Sequence, residues 1–105
     1  MRRVIVRYKV KPDRADENVD LVRAVYEELA ETKPEGLRYA TLRLDDGVSF
    51  VHISESESDA NPLTEVPAFE AFQKEIADRA DEQPVVTEVD VIGSYEFGGL
   101  GDEKG

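Results

Sequence analysis

Apolar and polar positions alternate with a period of two along four stretches of this chain and recur at spacings of three and four along two others. Residues 3 to 10 set Val4, Val6, Tyr8 and Val10 against Arg3, Ile5, Arg7 and Lys9, the pattern of a strand with one buried side. Pro12 and Asp13 end it. Asp13 stands where it could cap a helix whose first turn carries Asp16 and Glu17 against the positive end of the dipole. Val19, Val22, Tyr26 and Leu29, widened by Val25 and Ala30, make the apolar stripe of that helix. It is expected to stop near Lys33, because Pro34 cannot continue it and Gly36 lets the chain turn.

The stretch from Arg38 to Ser54 reads as a hairpin. Asp46-Gly47 suits a two-residue turn with Asp45 facing Val48, which sets Arg43 opposite Phe50 and Thr41 opposite His52. Tyr39, Thr41, Phe50 and His52 then share one mixed face, while Ala40, Leu42, Val51 and Ile53 share a purely apolar one. The polar run Glu55 to Asn61 reads as a surface loop. Pro67 is expected to open a second helix with Phe69, Phe72 and Ile76 on its stripe, although Val66 offers no capping oxygen. Gln83-Pro84 should end that segment, Val85 to Phe97 should form the last strand, and residues 98–105 should be a flexible tail to a domain of residues 1–97.

This order, β-α-β-β-α-β, predicts a ferredoxin-like α+β fold: a four-stranded antiparallel sheet with two helices on one face. The opposite face would carry Ile5, Phe50 and Ile92 as an apolar patch, so a second copy of the same sheet is the simplest cover.

Composition narrows the partners. Twenty-four acidic and thirteen basic residues give a formal net charge of −11, which repels nucleic acid and anionic membranes. A solvated surface explains this charge, and adaptation to high salt is the sharper reading. There is no cysteine, hence no disulfide, thiolate or cysteine metal site. The N-terminal strand lacks the unbroken apolar core of a signal peptide, and no run reaches the length of a membrane span, so a cytoplasmic location is expected. Triad, phosphate-loop and metal-pair motifs are also missing, which disfavours hydrolases, nucleotide enzymes and zinc enzymes.

The element order from Arg3 to Phe97, the strand-borne FVHIS of Phe50 to Ser54, the NPLTEVPAFEAFQ of Asn61 to Gln73 and the GSYEF of Gly93 to Phe97 together resemble the dimeric α+β barrel superfamily, and within it the antibiotic biosynthesis monooxygenase-like domains. The resemblance implies a homodimer whose sheets face each other, and a cavity for a small aromatic or apolar molecule. It spans cofactor-free oxygenases, haem-degrading enzymes and members without an assigned reaction, so it does not select an activity.

His52 is the only histidine and the only side chain poised to exchange protons near neutral pH. It reads as a proton acceptor or hydrogen-bonding anchor, with Tyr39 as its catalytic companion on the same face. Thr41 and Phe50 flank it as substrate-binding candidates. Arg7, Glu88 and Asp90 join them if all three turn toward one cavity, where Arg7 would neutralise one carboxylate and leave the other to act as acid or base. The competing readings are a packed histidine with a satisfied partner, a tyrosine at a sheet surface, and ion pairs or solvated charges. Asp78 and Arg79 read as surface charges. No metal is assigned, and no cofactor, since nothing adds the surroundings that a haem-ligating histidine needs. The alternative to a monooxygenase-like enzyme is a non-catalytic dimeric binding or structural module.

Overall fold

The computed structural model describes residues 2–57 and 62–95. Strand β1 (Arg2–Val10) leads through a 3-10 turn (Pro12–Arg14) into helix α1 (Ala15–Thr32). Strands β2 (Leu37–Arg43) and β3 (Ser49–Ser56) form the hairpin. A second 3-10 turn (Pro62–Glu65) precedes helix α2 (Pro67–Lys74), the single-turn helix α3 (Ile76–Arg79) and strand β4 (Ala80–Glu88). The sheet is antiparallel in the order β2-β3-β1-β4, the ferredoxin-like α+β arrangement expected from the alternation. Tyr8, Val10, Ala15, Val22, Val25, Phe50, Leu63 and Phe72 form one buried cluster between sheet and helices.

The hairpin has the expected register, with Arg43 opposite Phe50 and Thr41 opposite His52. Its tip is different. Leu44 N–H donates to Ser49 O and Gly47 N–H to Leu44 O, so the loop holds four residues and Asp45 does not pair with Val48. A two-residue turn of the favoured type needs positive φ at both central positions, and only Gly47 has it, at 80°. Asp46 instead turns its carboxylate back onto the N–H groups of Val48 and Ser49 and the Ser49 hydroxyl.

The ladder decides which face the helices cover. Val6 lies opposite His52 and Tyr8 opposite Phe50, so the mixed face of the hairpin continues the buried side of β1. Phe50 is therefore in the core, 2% exposed, and not on the open face expected of it. The open face carries Ile5, Arg7, Ala40, Leu42, Val51, Ile53 and Val85. Ile92 lies beyond β4 and is fully exposed.

The last strand is the main departure from expectation: it starts at Ala80 and ends at Glu88. Gln83-Pro84 interrupts neither helix nor strand, because β4 is an edge strand and the register against β1 shifts between Arg7 and Lys9, where Pro84 sits. An edge with a bulge is where a residue lacking N–H fits a sheet. Val89 N–H still bonds Arg3 O, and residues 90–95 then leave the ladder. The expected end of this strand at Phe97 and the tail of residues 98–105 lie outside the described residues. Glu55 and Ser56, expected in a loop, complete β3, and residues 58–61 of that loop are not described.

Helix ends follow local chemistry. Asp13 makes no capping bond, since it lies inside the 3-10 turn that winds into α1. Lys33 closes α1 in the left-handed region, φ 45°, its N–H on Leu29 O, because a residue before proline is kept out of the helical region. Pro67 is the first residue of α2 as expected, and the missing cap is supplied from α1: Glu28 Oε1 accepts the Ala68 N–H at 3.1 Å.

Candidate functional site

His52 stands in the middle of β3 under the helices, 4% exposed. Its Nε2 lies 2.8 Å from Tyr8 Oη, and its Nδ1 lies 2.6 Å from Tyr39 Oη and 3.3 Å from Thr41 Oγ1. The strands put these groups together: Tyr8 is diagonal to His52 across β1, and Thr41 is its direct partner on β2. Tyr8, Tyr39 and Phe72 surround the imidazole with ring centroids 5.3, 5.7 and 5.4 Å away. Burial lowers the His52 pKa to about 4, so the ring is neutral at pH 7. Burial likewise raises Tyr8 and Tyr26 to about 12 and Tyr39 further still, and all three hydroxyls are protonated.

The contacts extend in both directions. Thr41 Oγ1 is 2.8 Å from Tyr26 Oη, whose ring stacks on Tyr39 at 5.3 Å. On the other side Asn18 Nδ2 donates to Tyr8 Oη at 2.9 Å, and Arg79 Nε donates to Asn18 Oδ1 at 3.1 Å. Arg79 is no surface charge: it has no exposed area, a second N–H donates to Phe72 O at 2.9 Å, and its guanidinium sits 5.2 Å from the Phe72 ring centre. Asn18 is equally buried. A buried polar group is stable only when bonded, so the row from Arg79 to Tyr26 is held together by the cost of leaving any member unpaired.

From sequence, Asn18 goes unmarked, Tyr8 and Tyr26 count only as apolar positions and Arg79 as a surface charge, yet the sequence holds a signal for Asn18 and Arg79. Asn18 continues the stripe of Val22 and Val25, and Arg79 continues that of Phe72 and Ile76. A polar residue in register with an apolar stripe is buried by geometry whatever its type.

Of the candidates named from sequence, the fold brings together His52, Tyr39, Thr41 and Phe50. Arg7 and Glu88 do not join them. Arg7 is on the open face opposite Val85, while Glu88 lies opposite Val4 on the other face and pairs with Arg2 at 3.0 Å. Opposite faces cannot meet in one cavity, so the expected Arg7 and Glu88 pair does not form. Asp90 is exposed beyond the end of β4. Among the described residues no group of three or more histidines and carboxylates could hold a metal ion.

Beside the network, at the carboxyl end of α1, an open recess of about 340 Å³ is lined by Tyr26 and Tyr39. Leu29, Ala30, Pro34 and Leu37 give it an apolar lining, and Lys33 adds a cation. Tyr39 thus links the recess to His52.

The model of the antibiotic biosynthesis monooxygenase family matches residues 1–75. The chain belongs to this family. Solved structures agree with the fold. A Nitrosomonas europaea protein, provisionally described as an antibiotic biosynthesis monooxygenase, superposes with a TM-score of 0.73 at 20% identity, over 89% of this chain and 100% of its own. A Mycobacterium tuberculosis protein, Rv0793, gives 0.69 at 18% identity over 89% and 96%. One from Pseudomonas aeruginosa, PA3566, gives 0.70 at 15% over 88% and 94%. No curated protein matches the chain. At these identities the structural neighbours of this family member establish its fold alone. Among the described residues no helix is long and apolar enough to cross a membrane.

Proposed function

We propose that this domain binds a small aromatic or otherwise apolar molecule at the recess between sheet and helix, and oxygenates it without a cofactor. The observation that carries the reading is Tyr39, which walls the recess and holds its hydroxyl 2.6 Å from the ring of a buried, neutral His52. His52 acts as a hydrogen-bonding anchor and not as a base open to solvent. A hydroxyl donor placed in this way stabilises an oxyanion on the ligand.

With an anthrone-type substrate, water at the open recess takes one proton from the ring methylene to give an enolate whose oxygen is held at Tyr39. The enolate passes one electron to dioxygen, and the two radicals combine to a peroxide on that carbon, which takes back a proton. Loss of water then leaves a ketone, so one oxygen atom enters the product, the other leaves as water, and the methylene supplies all four electrons.

The test is oxygen uptake with anthrone and a panel of hydroquinones. Wild type is expected to consume oxygen, and Tyr39→Phe to lose roughly 100-fold in kcat, the usual effect of removing one oxyanion donor. His52→Ala, which removes the anchor of the Tyr39 hydroxyl, should lose turnover by a similar factor. The absence of uptake by wild type would overturn the oxygenase reading. It would favour the second, a non-catalytic binding module, which draws support from the engagement of both ring nitrogens of His52 by neighbouring hydroxyls. Under either reading the chain works as a homodimer, the open sheet face of one copy covering that of the other.

A further inference from the structure

Arginine can only donate hydrogen bonds, and this gives the buried row a direction. Arg79 Nε–H claims Asn18 Oδ1, so Asn18 presents its Nδ2–H to Tyr8. Tyr8 Oη accepts on that side, and its own hydrogen has His52 Nε2 as the one acceptor within reach among the described residues, which sets the direction of that contact. A neutral imidazole that accepts at Nε2 carries its hydrogen on Nδ1. That hydrogen goes to Tyr39 Oη at 2.6 Å, with Thr41 Oγ1 as a longer second acceptor at 3.3 Å. Tyr39 cannot return its own hydrogen to His52. It gives it either to the recess or to Thr41, and in the second case the bond from Thr41 to Tyr26 passes the surplus donor to Tyr26, the other tyrosine of the recess. Tyr26 and Tyr39 both line the recess.

We propose that Arg79 and Asn18 are positioning residues that hold His52 in its Nδ1–H form, so that the recess tyrosines act as donors and select an aromatic ligand bearing an acceptor oxygen, a ring carbonyl or a phenolate. This deepens the reading above and rests on its choice of recess. Two further observations agree with it. Lys33 lines the recess and, among the described residues, no carboxylate does, in a chain with 24 acidic residues. Arg79 is buried without a carboxylate within ion-pair distance, and its Nη1 has no acceptor among the described residues, so the charge is poorly suited to packing alone.

The first test is the tautomer of His52, read by long-range proton-nitrogen NMR at pH 7, where a single histidine removes any assignment problem. Wild type is expected to show a protonated Nδ1 and a bare Nε2; a protonated Nε2 would overturn the inference. In Asn18→Asp the introduced carboxylate accepts from both Arg79 and Tyr8, which turns the Tyr8 hydrogen away from the ring. Nε2 should then gain a proton, and an Nε2 that stays bare would count against the proposal. The exchange keeps the side-chain shape and gives Arg79 a counter-charge, so the fold is expected to survive; if it does not, the wild-type spectrum still decides.

The second test compares α-tetralone with tetralin, which share a skeleton and differ by one ring carbonyl. NMR titration of the Tyr26 and Tyr39 ring signals should show tetralone binding about tenfold more tightly, the worth of one hydrogen bond. Equal affinities would overturn the donor role. A lack of oxygen uptake would remove the oxygenase reading without touching the tautomer, and a wrong tautomer would remove this inference without touching oxygen uptake.

Discussion

At the scale of single residues, the burial of His52 ties stability to pH in a direction that can be worked out. The folded pKa is about 4 and the ordinary value 6.5, so the unfolded chain binds the proton more tightly. The stabilisation is fully present above pH 6.5 and is lost as pH falls toward 4. A shift of this size corresponds to about 3 kcal/mol lost between pH 7 and pH 4. Carboxylates titrate over the same range, so the quantity to measure is the difference between wild type and His52→Gln in urea unfolding at both pH values. The mutant should lose about 3 kcal/mol less than wild type on acidification. Equal losses would mean that water reaches His52 in the folded state. The neighbourhood of His52 was legible in the sequence, since alternation placed it beside Tyr39 and Thr41. What fixes its protonation was not legible: the stripes mark Asn18 and Arg79 as buried, but both lie far from His52 along the chain and nothing local pairs them with Tyr8.

At the scale of elements, the hairpin register was readable because a shift of one residue would exchange a purely apolar face for one carrying His52. The last strand was not. Val85 to Phe97 alternates as well as Ala80 to Glu88 does, and the choice between them is made by the ladder with β1 and by the tolerance of an edge for Pro84, neither of which is a local property. The turn shows the same division. Asp46-Gly47 was expected to supply positive φ at both positions of a two-residue turn; only Gly47 does, at 80°, and the side chain of Asp46 closes on Val48 and Ser49 in a longer loop. A methyl group at Gly47 would have only Arg43 Nη2 nearby, at 3.9 Å, so Gly47→Ala isolates the cost of the backbone conformation. It should destabilise the domain by about 1–2 kcal/mol in urea unfolding. Gly36→Ala, with φ 74° and the Glu57 side chain 3.2 Å from the added carbon, should cost more. A Gly47→Ala variant as stable as wild type would show that the turn relaxes to another type.

At the scale of the whole molecule, charge and the open sheet face act against each other. The middle of that face is Ile5, Ala40, Leu42, Val51, Ile53 and Val85, with Arg7 among them. Its other charges lie toward the strand ends, where Arg3 pairs with Glu55 and Lys9 lies opposite Glu82. Joining two such faces removes apolar area from water but brings together two chains of formal charge −11. The long-range repulsion is screened by salt, with a Debye length of roughly 10 Å at 0.1 M and 3 Å at 1 M, whereas burial of the aliphatic side chains is not weakened by it. Dimerisation should therefore strengthen as KCl is raised, the reverse of an interface built on ion pairs, and the melting temperature should climb with it. Sedimentation equilibrium from 0.05 to 1 M KCl checks this, with Ile53→Lys as the control expected to remain monomeric at micromolar concentration. A dimer that dissociates in salt would place the contact on charged groups instead. A folded wild-type monomer at every salt concentration would mean that the sheet face needs no cover, and the proposed homodimer would fall with it.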